Sequence, residues 1–139
     1  MVALIVPEPY NEAEEFKKKI WQHFDELNEL EVFHNQLIVV KFIRTKVSAS
    51  IYAANSTQTE DKWQGKVGLV IKLGPSAFVD EPGFSFHGTK AAVGDWVIYR
   101  NTDGYDMDYK AEGAVEKINL RWIEDAQIKG RTTRPQAIW

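Results

Sequence analysis

The chain has no cysteine at all, which removes disulfides, thiolate metal sites and a cysteine nucleophile in one step. Nor does either sign of charge dominate. Seventeen basic residues stand against twenty acidic ones, a formal net charge of −3, so no long-range field favours nucleic acid or an anionic membrane. No run of apolar residues reaches the length that spans a bilayer. The start, MVALIVPEPYNEAEE, lacks a basic segment before its short apolar run and turns acidic at once, so it does not read as a signal peptide. These features predict a soluble protein that is not secreted by a signal peptide, and they do not fix its compartment. Bulk is what the chain has: 139 residues, 44% hydrophobic, with five Trp, seven Phe and five Tyr, enough for one well-filled core or for a protein that lives against neighbours.

Residues 1–35 are too few to hold a core of their own. Within them Asn11 and Glu14 have the spacing of a capping box, and Phe16, Ile20, Phe24 and Leu27 then recur at helical spacing. The spacing predicts an amphipathic helix of roughly five turns whose wet face carries Glu15, Lys18, Lys19, Gln22 and Asp25. Its apolar stripe packs either on its own domain or on a partner. From Gln36 the period changes: QLIVVKFIRTKV is rich in β-branched residues and reads as a strand buried on most of both faces. The polar stretch SASIYAANSTQTEDKW reads as a loop, and strand-like runs follow at 65–73, 95–101 and 114–123. Asn101 to Gly104 reads as a hairpin turn. The tail at 133–139 ends in Ile138 and Trp139, an apolar pair that folds back or inserts into a neighbour. The pattern predicts a mostly β protein, a small β-barrel at 36–132 with an N-terminal amphipathic helix.

Residues 36–132 carry motifs in an order and spacing that resemble the GroES-like co-chaperonin family. LIVVKFIR matches the opening strand. Thr45–Lys46, Ser48–Ala49–Ser50 and Ile51–Tyr52–Ala53 stand where the family has its mobile loop and the hydrophobic tripeptide that binds the chaperonin. Gln64 to Val67 through Leu73–Gly74–Pro75 resembles the next strand and turn, and residues 76–92 correspond to the roof-forming loop. Val93–Gly94–Asp95–Trp96–Val97–Ile98–Tyr99 matches V-G-D-x-V-x-[FY], Gly104–Tyr105 a glycine-aromatic turn, and Glu124–Asp125–Ala126–Gln127–Ile128 the closing strand.

The resemblance implies a GroES-like barrel that works by binding proteins. Where the family has glycines before the tripeptide this chain has Ala49–Ser50, and Ala53 is a small third residue. The helical extension is also absent from ordinary co-chaperonins. Divergent GroES-like proteins with added termini occur in bacteriophages, where they assist capsid folding or are reused in the particle. Two functions are therefore expected. The first is a capsid-associated or decoration subunit that grips neighbours through Phe16, Ile20, Phe24, Ile51, Tyr52, Ala53 and Trp139. The second is an active co-chaperonin that caps a chaperonin ring through Ile51–Tyr52–Ala53. Either would be an oligomer or part of a larger assembly.

No enzyme and no cofactor are expected. His23, His34 and His87 are scattered in sequence, with no nucleophile and acid beside them. The zinc dehydrogenases that share a GroES-like domain need ligands and a dinucleotide fingerprint that this chain lacks. Asp103, Asp106 and Asp108 are spaced so that they could offer oxygens to Ca²⁺, but without the glycine and distal glutamate of a calcium loop they read as a solvated turn. Trp96, Tyr99 and Trp122 with Arg100 and Arg121 could stack on single-stranded nucleic acid, but their place within strands makes them core or interface bulk.

Overall fold

A computed structural model describes residues 12–22, 29–42, 66–110 and 117–138. Six strands form one sheet, β1 (Gln36–Lys41), β2 (Val67–Leu73), β3 (Trp96–Ile98), β4 (Tyr105–Tyr109), β5 (Ile118–Glu124) and β6 (Gly130–Thr132). Their order is β4-β5-β1-β2-β3-β6, and every pair is antiparallel. The chain is thus mostly β, as its patterning predicts. Among the described residues no pairing joins the two edge strands, β4 and β6, into a closed barrel.

Alternation of side chains across the pleat sends two apolar sets to opposite faces. Ile38, Val40 and Phe42 of β1 lie with Val67, Leu69, Ile71, Trp96 and Leu120 on one face; Leu37 and Val39 lie with Val70, Val97, Tyr99 and Ile123 on the other. Between Ile38 and Val39 the β1–β2 register shifts, so that Ile38 faces Lys72 while Val39 faces Val70. The irregularity lets Leu73 join the second apolar set.

The first face is covered by α1 (Glu12–Gln22), whose Ala13 and Ile20 are buried and whose Phe16 meets Phe42 edge-on at 5.5 Å and Trp96 at 5.9 Å. Lys17 donates to the Gly94 carbonyl at 3.0 Å and fastens the helix to the turn before β3. The short 3-10 turn Pro135–Ala137 contacts the helix, and Ile138 packs at the margin of this core. Up to Ile138, then, the tail folds back on its own domain; Asn11, Phe24, Leu27 and Trp139 lie outside the described residues.

The second face is covered by a loop. Phe78 and Ala91 are buried against it, with Phe86 and Ile128 partly so. Asp125, in the 3-10 turn Asp125–Gln127, pins the loop down: its carboxylate accepts from the Phe78 amide at 2.9 Å, from Asn35 Nδ2 at 3.1 Å and from the Ala126 amide at 2.7 Å. Phe78 has φ +59°, a left-handed conformation that costs a bulky residue about 1–2 kcal/mol. Burial of its ring and the bond to Asp125 hold it there.

One expectation fails. The turn at Asn101–Gly104 does not close a hairpin, because β3 pairs with β2 and β6 while β4 pairs with β5 at the opposite edge. Gly104 has the positive φ (+70°) typical of such a turn, but the chain passes from there to the opposite edge of the sheet.

At Gly74 the sheet meets the turn before β1 so closely that a Cβ would sit 2.3 Å from the His34 carbonyl oxygen and 2.8 Å from that of Gln36. Gly130 on edge strand β6 has open space around it. Gly74→Ala is expected to lower stability in chemical denaturation by about 1–3 kcal/mol, whereas Gly130→Ala changes it by less than about 0.5 kcal/mol. Equal effects would contradict this packing.

Candidate functional site

Two features mark the second face, a buried ionic cluster and an aromatic cleft with a basic rim. The first lies toward β4 and β5. Lys41 of β1 points to the loop-covered side and is fully buried, with Nζ 2.8 Å from Asp106 Oδ2. Arg121 of β5, 5% exposed, donates Nε to Asp106 Oδ1 at 2.8 Å and Nη1 to the carbonyls of Asn101 and Asp103, each at 2.7 Å. Its guanidinium lies 5.6 Å from the centre of the buried Tyr99 ring. Arg100 reaches Asp103 Oδ1 at 3.0 Å.

This arrangement corrects the reading of Asp103, Asp106 and Asp108 as a solvated turn. Asp103 is 4% exposed and Asp106 bridges two buried cations; only Asp108, paired with Asn119, lies at the surface. The missed signal was in β1 and β5: Lys41 and Arg121 fall on the inward phase of buried strands, where an unpaired cation is untenable. The two partners therefore had to come from elsewhere in the chain, and an aspartate at β4's inward phase provides one.

Burial alone would raise the Asp106 carboxyl, but the hydrogen bonds and charges of Lys41 and Arg121 outweigh it and hold it below the usual aspartate range. Asp103 is held low chiefly by its hydrogen bond from Arg100. Burial pushes the Tyr99 phenol upward against the opposing charge of Arg121. The carboxylates of this cluster are committed to its own cations. Its phenol holds its proton, and its main work is to neutralise charge inside the sheet.

The second feature is a cleft of about 270 Å³ between the loop and the end of the sheet. Its apolar wall is Phe78, Phe84, Phe86, Ala91, Val97 and Ile128, and its rim carries Lys90, Lys129 and Arg131. Phe84 is 51% exposed, an unusual position for a phenyl ring. It is held there by a tight turn: Glu81 and Phe84 exchange backbone hydrogen bonds at 2.9 and 3.0 Å around Gly83, whose φ is +86°. Asp80 braces the turn by accepting from the Phe86 amide at 2.8 Å and from Ser85 Oγ at 3.2 Å. The Phe84 ring meets Phe86 edge-on at 4.9 Å, and Phe86 meets Phe78 at 5.3 Å, so the exposed ring is joined to the core through two others. Arg131 Nη1 ties β6 to the loop's far end through the Lys90 carbonyl and Asp95 Oδ2, both at 3.1 Å.

The chain matches no known family model, and no curated protein is significantly similar to it.

Of the partner-binding residues expected from sequence, Phe16 and Ile20 are engaged by the protein's own sheet. Phe24, Ile51, Tyr52, Ala53 and Trp139 lie outside the described residues. Trp96 and Tyr99 are buried, so neither offers a stacking platform. Trp122 is half-buried beneath the exposed Tyr105, with the two ring planes parallel. Among the described residues, no three His, Asp or Glu side chains are grouped to hold a metal ion, and no helix is long and apolar enough to cross a membrane. The cleft was not foreseen. Its signal was Phe84 and Phe86 flanked by Pro82, Gly83 and Gly88, aromatic residues on turns where a packed core needs none.

Asp106→Asn keeps the shape but removes the charge that two cations need, and is expected to cost about 1–3 kcal/mol at neutral pH. A carboxyl held low contributes stability that is present above the unfolded-state value of about 3.9 and is lost as pH falls through the lower folded-state value. Thermal unfolding followed from pH 7 into that acid range should show a steeper loss for the parent than for the variant. Parallel curves would mean that the cluster does not carry this linkage.

Proposed function

We propose that this chain is a non-enzymatic, protein-binding structural module, a capsid-associated subunit of a phage particle built on a GroES-like barrel. The supporting observation is the cleft with Phe84 at its mouth. A large aromatic ring held half in water by a braced turn is characteristic of an interface anchor, and a rigid anchor loses little entropy on docking. The charged groups that could serve catalysis point the same way, since Asp106 and Asp125 are saturated by their own neighbours.

The barrel reading rests on the order of the motifs and the strands that carry them. LIVVKFIR begins within β1, the Val67–Leu73 run is β2, and Val93–Gly94–Asp95 turns into β3 with Gly94 at φ +98°. Closing such a sheet would join the edges at β4 and β6.

The test is where the chain resides. In gradient-purified particles from the source, quantitative proteomics should find it at a fixed ratio to the major shell protein. The co-chaperonin reading predicts instead a free ring by sedimentation, with refolding by its chaperonin abolished when Ile51 and Tyr52 are both changed to Ser. Finding that ring and that loss, with no chain in the particle, would overturn the proposal.

A further inference from the structure

We infer that the cleft takes an extended acidic segment of a partner protein, seating one large aromatic or aliphatic side chain between Phe84, Phe86 and Ile128 while its carboxylates meet Lys90, Lys129 and Arg131. This inference rests on the protein-binding reading and specifies the partner's chemistry.

Size comes first. At about 270 Å³ the cleft falls just short of the roughly 300–1,000 Å³ that encloses a drug-sized molecule, and it suits one or two large side chains. Its wall is mostly apolar, and an incoming aromatic ring would find Phe84 and Phe86 already at 77° to each other, a geometry that a third ring extends edge to face.

Charge decides the flanks. Three cations ring the mouth, Lys90 and Lys129 exposed and Arg131 57% exposed on its side chain while paired with Asp95 at 3.1 Å. Three of the acids nearby are partly or wholly occupied, and a fourth, Glu81, is exposed on the Phe84 turn. Asp125 is buried and holds the loop, Asp80 is turned to the Phe86 amide and Ser85, and Asp95 takes one bond from Arg131. The rim is therefore basic on a chain whose net charge is negative, so the feature is local.

The backbone decides in favour of a peptide. Strand β6 borders the cleft through Gly130 and Arg131 and has no neighbour on its outer side among the described residues. Arg131, which faces Val97 across the β3–β6 pair, puts its side chain on the cleft side of that edge. An extended segment can thus pair with the edge while alternate side chains drop toward the aromatic wall.

The probe is the blocked hexapeptide Glu-Asp-Phe-Phe-Asp-Glu, with Lys-Lys-Phe-Phe-Lys-Lys as its counterpart, titrated into the isotope-labelled full chain and followed by amide NMR. The acidic peptide should shift residues 84–91 and 126–131, and the basic one should not. Phe84→Ala, at an exposed site, and the double charge reversal Lys90→Glu with Lys129→Glu should each weaken binding about tenfold or more, with the dispersion of the remaining spectrum unchanged.

The inference is overturned if the acidic peptide leaves those amides unmoved, if both peptides bind equally, or if oligothymidine or anionic phospholipid vesicles shift them where the peptide does not. Should the peptide fail while the chain still enters particles, the cleft's specificity is wrong and the structural role stands. If the peptide binds but the chain is absent from particles, the cleft keeps its chemistry and the structural role falls.

Discussion

Strand β1 is buried on both faces, and most of the molecule follows from that constraint. A six-residue run with five consecutive buried positions cannot sit at a surface on either side, so the sheet needs two covers. One is a helix, which satisfies its own backbone and needs only an apolar stripe. The other is a loop, which brings unpaired amides and carbonyls onto an apolar face and must have them met there. Asp125 answers that need. By bonding Asn35 ahead of β1 and Phe78 in the loop with one carboxylate, it couples the central strand to its cover.

The same constraint explains the buried charges. Where the loop cover gives way toward β4 and β5, the inward positions of two buried strands are Lys41 and Arg121. The only charge-compatible solution is to bring an anion in, and Asp106 is shared between them. The interior is therefore apolar under the loop's aromatic residues and ionic beside them. An ionic patch of this kind adds little net stability over an apolar one of the same shape, but it fixes strand register, because a slip of one residue would strand two cations.

Much of this was legible in the residues. The β-branched, nearly continuous apolar runs in QLIVVKFI and in Val67–Leu73 marked strands where strands occur, and Phe16 and Ile20 marked the helix face that packs. What escaped was anything set by pairing across distance. Asn101–Gly104 has hairpin chemistry, yet β3 and β4 lie at separate places in the sheet, since local turn propensity says nothing of which strands are free to pair. Asp106 looked wet because its cationic partners are 15 and 65 residues away. The aromatic cleft was hidden for the same reason: its walls come from the loop, β3, the turn after β5 and β6.

One buried carboxylate, Asp125, holds the loop that presents Phe84. Native-state hydrogen exchange on Asp125→Ala tests this most directly. The Phe78 and Phe86 amides should lose protection together while those of β1, β2 and β5 keep theirs. Retention of protection at Phe78 in the variant, or a uniform loss across the sheet, would contradict it.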